Sequence, residues 1–176
     1  KKKKDGEYVK PQFYLKGMEI KQSRMPPVMR ETVGNVLRGM LEKKEPKVII
    51  DEVCDTISDI MQHKVPLEDL SMKGKLTKDL ADYASVSGAA AGAKWANDYL
   101  GKGYRKGDFF KTLLDTEGRY IAFDKPSEIP DWVNIGYHHI VQRFVLDKLE
   151  PYFTIAGWSM IDLENARDGK SDLEWL

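Results

Sequence analysis

One cysteine and three histidines among 176 residues leave little material for the chemistry those side chains carry. Cys54 alone forms no disulfide within the chain, and the lack of a disulfide framework points to a reducing, intracellular compartment. His63, His138 and His139 have no Cys or carboxylate at metal-ligand spacing, which argues against zinc, and an adjacent histidine pair on an apolar helix is expected to split into one buried and one surface residue. No apolar run reaches the length of a membrane span and no signal peptide opens the sequence, so the expectation is a cytoplasmic protein without a membrane partner. Nucleophiles fare no better. Cys54 has no basic neighbour in sequence and reads as core. Asp51, Glu52 and Asp55 fall at helical spacing and could bind a cation, but an acidic first turn is explained by the helix macrodipole alone. The small-residue run from Ser87 to Ala93 lacks the glycine spacing and Lys-Ser/Thr ending of a phosphate-binding loop.

Net charge is also absent, at +0, yet it is unevenly distributed. The first fifty residues hold thirteen Lys or Arg against six Asp or Glu, residues 51 to 110 hold eight against ten, and the remainder seven against twelve. Local potential, not whole-chain charge, decides whether a polyanion binds, so the basic end is compatible with phosphate. Lys1 to Lys4 can equally be a solvated charge run.

What is present is a clear succession of elements in a chain of single-domain size. Asp5-Gly6 is a two-residue turn signal flanked by the strand formers Tyr8, Val9, Phe13, Tyr14 and Leu15, predicting a β-hairpin and exit strand over residues 1 to 25. Lys1 to Lys4 lie so near that turn that the first element is expected to begin upstream of Lys1. Pro26-Pro27 opens a helix carrying Val28, Met29, Val33, Val36, Leu37, Met40 and Leu41 on one stripe, with Lys43 and Lys44 at its basic end. Pro46 starts a second, with Val48, Ile49, Val53, Ile57, Ile60 and Met61, ending near His63; the two are expected to pack as a helical hairpin.

After Pro66 the spacing predicts a short extended segment over residues 67 to 72, continuing through Lys73-Gly74-Lys75-Leu76-Thr77-Lys78. The small-residue run leads into a helix through Leu100 that can approach a neighbour closely, ended by Gly101 and Gly103. Lys106-Gly107-Asp108 turns into a strand from Phe109 to Leu114, and Glu117-Gly118 turns into its partner from Arg119 to Phe123. A long helix is predicted over about 135 to 156, kinked or restarted at Pro151 and stopped by Gly157, followed by a polar stretch. The fold class is therefore α+β.

Two cationic clusters are the candidate binding residues, because phosphate neutralisation needs only Lys, Arg and hydroxyl donors along a groove. The first is Lys16, Lys21, Ser23 and Arg24, with Gly17 allowing another backbone to come close. The second is Lys73, Lys75, Thr77 and Lys78, where Gly74 would let a loop lie against a backbone. Both compositions also occur on solvated faces, and a protein-interaction module whose cations only meet water is the rival reading.

The order of elements resembles the C-terminal part of family B DNA polymerases, from the end of the palm through the thumb. Five places carry the likeness: Lys16-Gly17-Met18-Glu19; Pro66-Leu67-Glu68-Asp69-Leu70 followed by Lys75-Leu76-Thr77-Lys78-Asp79-Leu80; Ala93-Lys94-Trp95-Ala96 with Gly103; Lys106-Gly107-Asp108; and Tyr137-His138-His139-Ile140 with Leu149-Glu150-Pro151-Tyr152-Phe153 before Gly157. Gly17-Met18-Glu19, Gln22-Ser23 and Pro26 look more like the T4-type phage enzymes than the archaeal or eukaryotic ones. The resemblance implies a palm end over 1 to 25, a mainly helical thumb over 26 to 170 that grips primer-template DNA through its backbone, and a tail over 171 to 176 whose Leu173, Trp175 and Leu176 would dock on a sliding clamp. The family's Asp-x-x-Ser-Leu-Tyr and Tyr-x-Asp-Thr-Asp elements do not occur, so the implied enzyme would keep its catalytic aspartates and Mg2+ in a palm outside this sequence, with exonuclease and fingers as further partners. The chain is then expected to be an excised domain or the smaller piece of a split polymerase.

Overall fold

A computed structural model describes residues 25 to 170. The predicted hairpin and exit strand, the first cationic cluster and the C-terminal tail lie outside the described residues.

Two proline-led helices come first. Helix α1 (Pro27–Leu41) and helix α2 (Pro46–Met61) each place a proline in the first turn, where its missing N–H is no loss. Met29, Val33, Val36 and Leu37 of α1 and Ile49, Val53, Ile57 and Ile60 of α2 are buried, and the two helices pack on one another. Lys43 and His63 take left-handed backbone just beyond the ends, a position usually given to glycine. Asp51 stands in the second turn of α2, not the first, and pairs with Lys47 at 2.9 Å. An i,i+4 ion pair therefore replaces the macrodipole as the account of that acidic residue.

Residues predicted as extended form a short helical turn, α3 (Leu67–Leu70), before strand β1 (Met72–Lys75). Strands β2 (Phe109–Leu114) and β3 (Tyr120–Phe123) complete an antiparallel sheet in the order β1-β2-β3, leaving β1 at an edge. Helix α4 (Gly88–Leu100) is the small-residue segment, and it lies on β3 and β2 as its composition suggested. A Cβ on Gly92 would stand 3.2 Å from Thr112 Cγ2 and 3.3 Å from Ala122 Cβ, so helix and sheet meet at backbone distance.

The sheet divides two cores by the period-two rule. Phe110 and Ala122 join Leu76, Ala90, Ala93, Ala96 and Tyr104 beneath α4, while Leu113, Ile121 and Phe123 join the larger helical core. That larger core also receives the C-terminal helical run: α5 (Tyr137–Val141), a π-helical turn over Gln142–Leu146, and α6 (Asp147–Ala156). Ile140, Val145, Leu149 and Phe153 are buried along it, and Gly157 ends it at φ 71°. Pro151 sits inside α6 without interrupting it.

The stretch beyond Gly157 is not merely polar. Residues Ile161–Asp168 form helix α7, which packs on α2 through the buried Leu163. Asp168 accepts from Arg167 Nε at 2.8 Å and lies 3.2 Å from His138 Nε2, tying α7 to α5. The Arg167 guanidinium, and less so His138, hold the Asp168 carboxyl at a pKa of about 2. His139 Nε2 meets the Thr116 carbonyl at 3.1 Å, and both histidines are exposed, against the expected split into buried and surface residues.

Candidate nucleic-acid interface

Alternation along an edge strand assembles the site. Met72, Gly74 and Leu76 are buried while Lys73, Lys75 and Thr77 are exposed, so the second predicted cluster presents its side chains to solvent at every other residue. Lys78 follows, also exposed. Register then adds two residues that spacing along one strand does not reveal: Lys73 stands opposite Lys111, and Lys75 opposite Phe109. Paired residues share a sheet face, so two lysines directly face one another, an arrangement that disfavours itself unless an anion lies between or over them.

No carboxylate of the described residues neutralises these cations. Among the described residues, Lys73, Lys75, Lys78 and Lys111 make no ion pair. The two nearby aspartates hold the backbone instead: Asp79 Oδ1 accepts from Lys106 N–H at 2.9 Å and Asp108 Oδ2 from Arg105 N–H at 3.0 Å. Those bonds fold the loop after α4 against β1, with Gly107 N–H donating to Leu76 O at 2.8 Å. Exposed Arg105 and Lys106 are thereby brought beside the lysines.

The base of that loop is fastened to the sheet. Asn97 brackets Tyr104, accepting from its N–H at 2.6 Å and donating to its carbonyl at 2.9 Å, and the Tyr104 hydroxyl donates to Asp124 Oδ1 at 2.7 Å. Lys102 Nζ lies 2.8 Å from Asp124 and 2.7 Å from Glu128. Lys102 holds both carboxyls below the usual range, and burial together with Asp124 pushes the Tyr104 phenol up. This is a rigid base for the cations, not a reactive group.

Gly74 acts differently from the expectation. A Cβ there would stand 2.4 Å from Phe110 Cε2, so the missing side chain seats the Phe110 ring across the strand and does not make space for an approaching loop. Thr77 is likewise already engaged. Its N–H donates to the Tyr83 hydroxyl at 3.1 Å, its own hydroxyl lies 3.3 Å from the same oxygen, and Lys78 N–H approaches at 3.4 Å. The Thr77 hydroxyl bond, chiefly, lowers the Tyr83 pKa. Tyr83, absent from the sequence-based candidates, therefore holds the segment bearing Thr77 and Lys78. Tyr83→Phe is expected to lower the stability of the fold by about 1 kcal/mol, since it removes the oxygen that Thr77 and Lys78 share; an unchanged urea midpoint would show that the segment does not depend on that hydroxyl.

Beside β1 runs a groove of about 630 Å³ lined by Lys73, Lys75, Thr77, Tyr83 and Phe109, with the first residues of α4 among its further lining. Lys75 Nζ lies 4.7 Å from the centroid of the Phe109 ring. A second aromatic group, Trp95, Tyr99 and Trp132, has centroids 5.7 to 6.0 Å apart. Cys54 is half-buried, packing against the larger core from its margin, and lines a separate groove between α2 and α7. No helix of the described residues is long and apolar enough to cross a membrane.

No protein-family model matches the chain. It is similar to the DNA polymerase of Thermococcus aggregans, 29% identical over 79 residues that make up 45% of this chain and 4% of that polymerase. The DNA polymerase of Thermococcus litoralis is likewise 29% identical over 79 residues, 45% of this chain and 5% of its own length. The matched stretch is thus a small fraction of either relative. Both matches support a relationship between this chain and DNA polymerases.

Proposed function

We propose that the chain is the thumb of a family B replicative DNA polymerase, holding primer-template duplex by its phosphates while a palm elsewhere transfers the nucleotide. The observation that carries this reading is the edge strand β1, with Lys73, Lys75 and Thr77 exposed at alternate positions, Lys111 facing Lys73, and no carboxylate among the described residues paired with the lysines. Backbone contacts of this kind position a duplex without reading its sequence, as synthesis on any template requires. Supporting the reading from a separate direction is the similarity to two DNA polymerases.

The finer assignment follows the residues that suggested it. Residues 1 to 25 would end the palm, with Lys16, Gly17, Lys21, Ser23 and Arg24 beside the primer strand; residues 26 to 170 would be the thumb; Leu173, Trp175 and Leu176 would form a clamp-docking tail. The T4-type character rests on Gly17-Met18-Glu19, Gln22-Ser23 and Pro26. Catalytic aspartates and their Mg2+ belong to the palm in this scheme, along with exonuclease and fingers.

Titration of the whole chain with a labelled primer-template across a salt series tests the proposal. Three lysine-phosphate contacts alone give a slope of log K against log salt of about −2.7, and the first cluster would steepen it. Absent binding, or binding indifferent to salt, would favour a protein-interaction module instead.

A further inference from the structure

We infer that the groove beside β1 is a site for single-stranded nucleic acid, with an unpaired base stacked on Phe109 and the flanking phosphates on Lys73 and Lys75, which line it. The inference rests on the nucleic-acid reading of this face and extends it to a second form of the ligand.

Phe109 is 70% exposed at the head of β2, although the sheet offers buried positions on both faces to Phe110, Leu113 and Leu114 immediately after it. A single exposed apolar ring is ordinary by itself, but the charges around this one specify what a ligand over it must carry. Lys75 reaches the ring, and Lys73 and Lys111 form the next rung on the same face. An uncharged protein surface would leave all three ammonium groups desolvated and unpaired. A nucleic acid supplies both requirements together, a flat ring for the phenyl face and phosphates for the ammonium groups.

Shape selects the strand form. A concavity of about 630 Å³ is of small-ligand size, too small for a duplex to enter and large enough for an exposed base and its sugar. Tyr83 and Tyr120 also line it, so the groove combines aromatic rings with a cationic rim, the combination by which single strands are held without regard to sequence. A base within a duplex has both faces covered by its neighbours. Phe109 therefore contributes only where a base is unpaired, at a frayed terminus or an overhang.

The test compares a twelve-residue thymidine oligonucleotide with a blunt duplex, each titrated into the whole chain at several salt concentrations. Phe109→Ala is expected to weaken the single strand about tenfold at every salt concentration with an unchanged salt slope, because stacking and not charge is lost, and to leave the duplex Kd where it was. Phe109→Trp should restore or exceed wild-type affinity, whereas Phe109→Leu, apolar but without a flat face, should resemble the alanine variant. Equal weakening of duplex and single strand, or full affinity in the leucine variant, overturns the stacking role. Wild-type protein that binds duplex but not the oligonucleotide also overturns it and leaves the duplex reading standing; loss of duplex binding alone would strike the parent reading and not this one.

Discussion

Replacing Lys73, Lys75 and Lys78 together by glutamine is expected to flatten the salt dependence of duplex binding by about 2.7 in the slope of log K against log salt, with affinity falling at low salt most of all. Three such contacts make up about a 40-fold share of the affinity that the wild-type chain loses between 50 and 200 mM salt, and that share should vanish from the variant. Two features make the result diagnostic. The lysines are exposed and carry no ion pair among the described residues, so their removal breaks no salt bridge there, only the exposed contact of Lys75 with the Phe109 ring, and the fold should melt close to the wild-type temperature. Removing Lys73 also relieves its confrontation with Lys111 across the β1–β2 ladder. A surface whose only function is solubility would show the same thermal behaviour and no change in slope. Glutamine keeps length and hydrogen-bonding capacity, so a loss of slope reports charge and not reach.

The lysine spacing was legible because period two is a local property: three residues of sequence suffice to place Lys73 and Lys75 on one side of a strand. Phe109 and Lys111 were not, since they join the site through register, and register depends on the loop between Leu76 and Asp108 closing onto β1. Tyr83 gave no signal at all; its role exists only once the segment after β1 curls back on its hydroxyl. The same division runs through the fold. Helices α1, α2 and α4 declare themselves by apolar stripes or small-residue runs that need no partner to be read. Helix α7 has a single buried residue, Leu163, and owes its existence to the face that α2 offers and to the Arg167 and His138 contacts of Asp168. A stretch so polar carries no periodic signal strong enough to distinguish helix from coil. The helical turn at α3 and the π-helical turn before α6 are equally silent in sequence, being adjustments of backbone geometry around a packed core.

Gly136→Ala is expected to destabilise the fold by about 4 kcal/mol or more, in the range reserved for direct conflict with packed backbone. The residue lies where the segment leading into α5 crosses the β2–β3 turn. Gly136 N–H donates to Leu114 O at 2.8 Å, Thr116 N–H donates to Asn134 O at 3.0 Å, and Asp115 bridges Ile135. A Cβ on Gly136 would stand 1.9 Å from the Asp115 carbonyl oxygen and 2.5 Å from its carbon. Neither atom can give way cheaply. Asp115 is buried, its Oδ1 accepting from the N–H groups of Glu117 and Arg119 at 2.9 Å and its Oδ2 from Arg119 Nε at 2.8 Å, so the turn is held from within. On the other side, Gly136 leads directly into the helical run that buries Ile140, Val145, Leu149 and Phe153, and shifting it disturbs the larger core. For a chain of this size the change corresponds to a melting temperature lower by about 8 to 16 °C. Gly34→Ala provides the contrast: a Cβ in the middle of α1 meets nothing within 4 Å, and the substitution should stabilise by about 0.5 to 1 kcal/mol. Urea denaturation of the two variants beside the wild type measures both. A Gly136→Ala protein within about 1 kcal/mol of wild type would mean that the crossing of α5's approach over the β2–β3 turn is not as close as 1.9 Å implies. The lysine-bearing edge proposed to bind DNA should feel neither substitution in its salt slope so long as the chain remains folded, since β1 pairs with β2 from Phe109 to Thr112, short of the Leu114–Asp115 corner. Stability and the proposed phosphate binding should thus be separable in this fold, one governed by the backbone crossing at the Leu114–Asp115 corner and the other by charge along the β1 edge.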